Sequence, residues 1–234
     1  MRAIVLASGK GTRLNEITKD LPKSMVIIGN KPILEHIISN LRENRIRNIT
    51  LVVGYKKEKI IDYFSDGKKF GVKISYAEQK KPDAGTADAV CSVEKIIGED
   101  RFLLIYGDVV FEKDLIKELT SKSKKSNFII CVKKVENPEN YGVVEIKNGR
   151  VVRVVEKMQN PPSNLVNAGI YILPKEIFTA INKTKPSKRG EYELTDSIQI
   201  LIDGGFECEF VLVGGFWIDI GNKENLMIAK KYLE

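Results

Sequence analysis

An α/β fold is what this sequence predicts: a mostly parallel, mixed central sheet with helices on both faces, extended by a second half rich in β-hairpin. Three observations predict it. Up to about residue 135, short apolar runs alternate with amphipathic stretches. A Gly-rich loop follows the first of those runs. After Tyr141 the pattern changes, and Asn148-Gly149 separates two segments of strand-like composition.

Each element has its own warrant. Ala3 to Ala7 is a continuous apolar run, the pattern of a strand buried on both faces. Pro32 to Asn44 predicts a helix, with proline in its first turn and Ile33, Leu34, Ile37, Ile38 and Leu41 on one face. Further strands are expected over 49–53, 72–76, 102–106 and 128–132. Helices are expected over 57–64 and 87–97 and from Asp114 onward. Strands that alternate with helices imply right-handed crossovers and parallel pairing. Asn148-Gly149 between 143–147 and 150–156 is the strongest short hairpin signal. A strand over 166–173, a helix over 195–202, a strand over 208–213 and a closing helix over 223–232 complete the order. No repeat or long linker interrupts it, so the expectation is one domain, 1–234, with halves of about 1–135 and 136–234.

The 234 residues are long enough for a sizeable core, and 43% apolar with 29% charged is too apolar for a disordered chain. The net charge of +7 favours anionic ligands without choosing among phosphates, nucleic acid and a membrane surface. Lysine runs at 56–57, 68–69 and 122–125 are expected to be solvated faces. Cys91, Cys131 and Cys208 match no zinc spacing and suit a reduced, cytoplasmic protein. His36 is the only histidine, which argues against a His-based triad. No stretch reaches membrane length, and the first apolar run is too short for a signal peptide.

The most informative segment is Leu6-Ala7-Ser8-Gly9-Lys10-Gly11-Thr12-Arg13-Leu14, with Pro22-Lys23 downstream. A loop after the first buried strand lies where open α/β sheets bind ligands. Glycines let backbone N–H groups approach phosphate oxygens, Arg13 offers a bidentate fork, and Lys23 offers a compact charge. A Walker loop does not fit, and a dinucleotide fingerprint fails because Leu14 stands where its last Gly or Ala belongs. A Gly-rich turn with surface charges is the bland alternative.

The stretch LASGKGTRLNEITKDLPKSM resembles the signature LAAGxGTRLxPLT…PKxM of the sugar-phosphate nucleotidylyltransferases. Landmarks in the family's order continue to about Gly221: Ala77-Glu78-Gln79 with Ala84-Gly85-Thr86-Ala87-Asp88-Ala89, Tyr106-Gly107-Asp108, Tyr141-Gly142, Glu156-Lys157, Asn167-Ala168-Gly169, Gly190 to Asp196, and Trp217-Ile218-Asp219. The resemblance implies a Rossmann-like fold with a hairpin-rich sugar-binding subsite, in the single-domain form without the acetyltransferase β-helix that some relatives carry. It implies a cytoplasmic enzyme that joins a nucleoside triphosphate to a sugar 1-phosphate, giving an NDP-sugar and pyrophosphate. Arg13 and Lys23 would be catalytic. Leu6, Ala7, Ser8, Gly9, Gly11, Thr12, Gln79, Gly85 and Thr86 would bind nucleotide. Gly142, Glu156, Lys157, Asn167 and Gly169 would bind the sugar phosphate, and Asp108 and Asp219 would hold Mg²⁺.

A Gln amide carries both donor and acceptor, so Gln79 can donate to O4 of uracil or thymine and accept from N3–H; an amide flip would partly adapt it to cytosine. UTP or dTTP is therefore the expected donor, with glucose 1-phosphate or N-acetylglucosamine 1-phosphate as acceptor. Three places depart from the family pattern. Ser8 replaces an Ala, Asn15-Glu16 replaces a polar-Pro pair, and Met158 stands where Pro usually follows Glu156-Lys157. Gly85-Thr86 and Thr195-Asp196 also read as helix starts. The rival readings are a guanylyl- or cytidylyltransferase acting on another phosphate, a non-catalytic NDP-sugar-binding regulatory protein, and a nucleic-acid binder suggested by charge alone. The chain lacks any motif of that last class, so small-molecule substrates without nucleic acid or membrane, in a possible homo-oligomer, are the expected partners.

Overall fold

The computed structural model describes residues 1–98, 101–126 and 128–233. In its first half, β1 (Ala3–Ala7) leads through two 3₁₀ turns and a short ribbon, β2 (Ile27–Ile28) and β3 (Lys31–Pro32), into α1 (Ile33–Glu43). Then follow β4 (Asn48–Val53), α2 (Lys57–Phe64), β5 (Lys73–Glu78), α3 (Thr86–Cys91), β6 (Arg101–Tyr106), β7 (Val109–Phe111), α4 (Asp114–Lys122) and β8 (Ile129–Lys134). The second half contains β9 (Gly142–Lys147), β10 (Arg150–Glu156), β11 (Leu165–Pro174), α5 (Ile177–Ile181), α6 (Leu194–Asp203), β12 (Glu209–Leu212), β13 (Trp217–Asp219) and α7 (Lys223–Leu233).

Among the described residues nine strands form one mixed sheet in the order β10-β9-β11-β6-β1-β4-β5, with β8 on β11 and β12 on β8. The strands β6, β1, β4 and β5 are parallel. From β1 the chain moves outward to β4 and β5, then returns across β1 to β6. This reversal makes the carboxyl ends of β1 and β6 a topological switch point, where a crevice opens by geometry. The hairpin β9–β10 joins the same sheet through β11.

Alternation along the strands builds two cores. Ala3, Val5 and Ala7 face one with Ile49, Leu51, Leu103 and Ile105. Ile4, Val52, Phe102 and Leu104 face the other. The first core is closed by α1, α2, α4 and α7, and the second by α3, α5 and α6. The central strands are thus buried on both sides, as their unbroken apolar composition requires.

Several expectations change in detail. Pro32 caps α1 in an extended conformation, since it ends β3, so it precedes the first helical residue. The helix expected over 87–97 ends at Cys91. Ser92 Oγ donates to Ala89 O at 2.6 Å and competes with the helical ladder, and the chain tightens into turns. Residues 99, 100 and 127, beside two expected strand starts, lie outside the described residues. Lys122 is half-buried rather than solvated, donating to Phe210 O and pairing with Glu209 on edge strand β12. The ribbons β2–β3 and β7–β13 and the short α5 carry too few residues for any periodic signal. Cys131 and Cys208 are buried and Cys91 is half-buried, all three free. Among the described residues no helix is long and apolar enough to cross a membrane.

Candidate active site

Two cavities of about 280 and 260 Å³ open at the switch point and share Lys23, Thr86, Tyr106, Asp108 and Glu191 as a common wall. They form one cleft with two ends. All nine residues expected to bind nucleotide line the first end. All five expected to bind the sugar phosphate line the second, together with Arg13, Asp108 and Asp219.

The first end is shaped by close backbone packing. Gly107 N donates to Leu6 O at 2.8 Å, and a Cβ at Gly107 would lie 2.4 Å from that oxygen, so only glycine lets β6 leave the sheet beside β1. Gly11 has φ +68°, and a Cβ there would meet Lys23 Cβ at 2.8 Å. The loop and Lys23 are therefore packed as one unit. Thr18 Oγ1 and Leu14 N both donate to Gly11 O and fix the turn. Gly85, at φ +103°, allows Tyr192 to approach, with Tyr192 N donating to Ala84 O and Ala87 N to Tyr192 O.

Gln79 takes up a different posture from the one expected. It is 2% exposed, and its amide is engaged by protein. Oε1 accepts from Ser8 Oγ at 2.5 Å, and Nε2 donates to Gly85 O and Asp88 Oδ2, each at 3.0 Å. Both N–H groups are spent, so donation to a base O4 is not available in this arrangement. Thr86 begins α3, with Gly85 as the residue before the helix, and its hydroxyl accepts from Leu194 N at the start of α6. The expected capping role is thus played on a different helix.

At the shared wall, Lys23 Nζ lies 2.5 Å from Asp108 Oδ2 and 3.5 Å from Asp219 Oδ1. Asp108 follows β6, and Asp219 ends β13. Pairing of β13 with β7 sets Asp219 opposite Val109, and Ile220 N donates to Asp108 O at 2.9 Å. Burial works against the Lys23 ammonium, but Asp108 and Asp219 outweigh it and hold its pKa above the ordinary value. Burial and the Asp108 charge raise Asp219 above the usual carboxylate range. Asp219 Oδ1 is buried without a hydrogen-bond partner. Two converging carboxylates with an unsatisfied buried oxygen suit Mg²⁺, which takes one or two carboxylates plus water and phosphate oxygens. Among the described residues there is no cluster of three or more His, Cys, Asp or Glu that could form an all-protein cage.

The second end is polar. Lys157 N donates to Tyr141 O, and Lys157 holds φ +40°, a conformation unusual for a side chain larger than glycine. Burial, then the neighbouring Arg189, lowers its pKa. Glu156 accepts from Thr195 Oγ1 at 3.2 Å, and Gly142 leaves room for both, since a Cβ there would meet Thr195 Cγ2 at 3.1 Å. Asn167 Oδ1 accepts from Gly169 N, and its Nδ2 donates to Tyr171 Oη. Gly169, at φ +72°, packs on the Tyr106 ring. Thr195 and Asp196 stand in the first turn of α6, and Thr195 also faces the cleft through Glu156.

Sequence reasoning missed Arg189. Its Nη2 lies 2.6 Å from Glu193 Oε1, 3.5 Å from Glu191 and 3.7 Å from Glu156, on the wall that carries Lys157. Its place next to Gly190-Glu191 was the available signal. The exposed Arg13 reaches the same end, with Nη1 3.7 Å from the position of a Cβ on Gly221.

The profile of the family described as nucleotidyl transferase matches residues 2–234. The bifunctional protein GlmU of Methanocaldococcus jannaschii is 44% identical over 234 residues, 100% of this chain and 54% of that protein. The chain therefore spans about half the length of that relative. The UTP–glucose-1-phosphate uridylyltransferase AglF of Haloferax volcanii is 38% identical over 238 residues, covering 100% of this chain and 97% of that protein. A crystal structure of UDP-glucose pyrophosphorylase complexed with UDP-glucose superposes with a TM-score of 0.89 at 27% identity, covering 99% of this chain and 97% of the other.

Proposed function

We propose, from the premise that this chain belongs to the nucleotidyl transferase family, that it transfers a nucleotidyl group from a nucleoside triphosphate to a sugar 1-phosphate, giving an NDP-sugar and pyrophosphate. The observation that carries the reading is the shared wall: Lys23 and Asp108 line both ends of one cleft. A donor at one end and an acceptor at the other would meet there.

In the reaction a phosphate oxygen of the sugar 1-phosphate bonds to the α-phosphorus, and the bond from that phosphorus to pyrophosphate breaks. The main obstacle is charge. Two unit charges 4 Å apart repel by about 4 kcal/mol at an effective dielectric near 20. The acceptor phosphate is largely ionised near neutral pH, so cations matter more than a base. Lys23 neutralises charge where the two ends meet. The loop from Gly9 to Gly11 holds the triphosphate, and Arg13, on the wall of the second end, adds positive charge beside the acceptor phosphate. Lys157 and Arg189 hold the acceptor phosphate, while Glu156 and Asn167 orient the sugar. Asp108 and Asp219 would hold Mg²⁺. When bound, Mg²⁺ supplies positive charge to phosphate oxygens. Catalysis is then positioning and electrostatic stabilisation.

UTP or dTTP is the proposed donor, and glucose 1-phosphate or N-acetylglucosamine 1-phosphate the proposed acceptor. The AglF relative supports the first of each pair through its name and near-complete coverage. The test is pyrophosphate release with Mg²⁺ and glucose 1-phosphate across UTP, dTTP, CTP, GTP and ATP, with EDTA and no-sugar controls. Sugar-dependent, EDTA-sensitive release with UTP or dTTP supports every part. Release with GTP or CTP alone keeps the reaction and overturns the donor. Silence across a panel of sugar and alcohol phosphates sinks the reaction.

A further inference from the structure

We infer that Tyr55 is a positioning residue for the triphosphate, acting through Lys10, whose charge it holds at the nucleotide end of the cleft without cancelling it; this rests on the reading of the first cavity as that end. Tyr55 stands two residues beyond β4 and reaches the Gly-rich loop at both limbs. Its N–H donates to Ser8 O at 3.1 Å, just before the glycines. Its hydroxyl donates to Lys19 O at 2.7 Å, after the turn that follows them. Gly54 permits this approach, since a Cβ there would meet Ser8 Cβ at 3.0 Å. The ring is thus fixed relative to the loop, and Lys10 Nζ lies over it, 5.5 Å from its centroid.

The consequence is electrostatic. Two lysines, Lys10 and Lys23, line this end of the cleft. Lys23 is committed to Asp108. Lys10 has no ion pair among the described residues. A second ammonium, that of Lys56, also lies near the Tyr55 ring, 5.7 Å from its centroid, but Asp20 neutralises it at 2.8 Å. Of the two cations at the ring, the uncompensated one is therefore the one that lines the cavity. An aromatic face attracts an ammonium through its quadrupole and carries no net charge. A carboxylate in its place would hold Lys10 equally but cancel the charge that a polyanion needs. Beside it, a Cβ on Gly9 would meet nothing within 4 Å, so the loop surface is open to a ligand. The ring and the loop together present a held, unneutralised cation where a triphosphate would extend beyond its first phosphate.

The experiment is equilibrium binding of UTP and of UMP, at one fixed Mg²⁺ concentration and without sugar phosphate so that nothing turns over. The proteins are the wild type, Lys10→Met, Tyr55→Leu, Tyr55→Phe and the double variant Lys10→Met/Tyr55→Leu. UMP shares the base, ribose and first phosphate, so the UTP-over-UMP ratio reads the outer phosphates and is unmoved by general damage to the pocket. Lys10→Met should lower that ratio about tenfold. Tyr55→Leu, which leaves Lys10 unheld, should lower it about fivefold. Tyr55→Phe keeps the ring and should stay within about twofold of wild type. On the Lys10→Met background, Tyr55→Leu should move the ratio less than about twofold, because the group it holds is gone. An unchanged ratio in Tyr55→Leu, an equal fall in UTP and UMP binding, a Tyr55→Phe loss as large as that of Tyr55→Leu, or the full fivefold effect on the Lys10→Met background would each overturn the proposal. Lys10 is exposed, so Lys10→Met tests the charge even if Tyr55→Leu does not fold, and an unchanged ratio there overturns it too. The expected binding pattern beside a silent pyrophosphate assay would support this inference while sinking the reaction. Wild-type protein that binds UTP no more tightly than UMP would remove the reading beneath the proposal and the proposal with it.

Discussion

Lys23 Nζ and Asp108 Oδ2 stand 2.5 Å apart on the only side-chain ion pair that faces both ends of the cleft among the described residues. The carboxylate holds the lysine, and the proposed reaction calls for its charge at the phosphates on either side. Lys23→Ala should therefore lower kcat by about a hundredfold or more while KM for either substrate changes little. Steady-state kinetics check this, and a near-normal kcat refutes the role.

The partner carboxylate gives a second, separable outcome. Asp108→Asn keeps the shape but removes a charged oxygen from the pair formed with Asp219. The Mg²⁺ concentration for half-maximal rate should rise by at least about tenfold. A Mg²⁺ titration of the rate reads it directly. An unchanged midpoint would mean that Asp108 serves only to anchor Lys23.

Gly107→Ala tests the packing beneath the site. The added Cβ would lie 2.4 Å from Leu6 O and 3.3 Å from Ala7 Cα, all of it backbone at the sheet centre. Nothing flexible can yield, so a loss of about 2–4 kcal/mol is expected in urea unfolding. A loss below about 0.5 kcal/mol would show that β6 can move away from β1.

Trp217 is the chain's single tryptophan, lines the second end of the cleft, and donates from Nε1 to Ala168 O at 2.9 Å. Its fluorescence should change on titration with glucose 1-phosphate. Arg189→Ala should weaken that titration about tenfold, since a charge-assisted contact to phosphate is lost. An unaltered midpoint would assign Arg189 to the acidic cluster alone.

Glu193 provides a pH signature. Burial, then the nearby Glu156, raises its pKa above the ordinary 4.5, although Arg189 pulls the other way. The folded state thus binds this proton more tightly than the unfolded one. The resulting stability is complete below 4.5 and is lost as pH rises through the folded value. Glu193→Gln stays neutral throughout, so its stability relative to wild type should climb as pH rises through that window and then level. Urea unfolding across pH checks the sign; a relative stability that falls with pH would contradict it.

The sequence alone determined the strand-helix alternation, the Asn148-Gly149 hairpin and the glycine loop. Those depend on local signals: unbroken apolar runs, residues that accept positive φ, and side chains of one chemistry a few positions apart. Asn148 and Gly149 do take φ +50° and +74°, as a tight hairpin requires. Resemblance at ordered landmarks then named the residues that line the cleft. Only the tertiary structure decided how they relate. The ribbon β7–β13 joins residues more than a hundred positions apart and sets Asp219 beside Asp108, with too few residues for any periodicity to announce it. The direction of the Gln79 amide is settled by Gly85 O and Asp88 Oδ2, groups that only accept, and the Ser8 hydroxyl follows it. Arg189 enters the site because Tyr192 pairs with Ala84 and draws its loop over the cleft. Hydrogen-bond direction, and which charge faces which, depend on distances across the fold, and residue types in a row do not contain those distances.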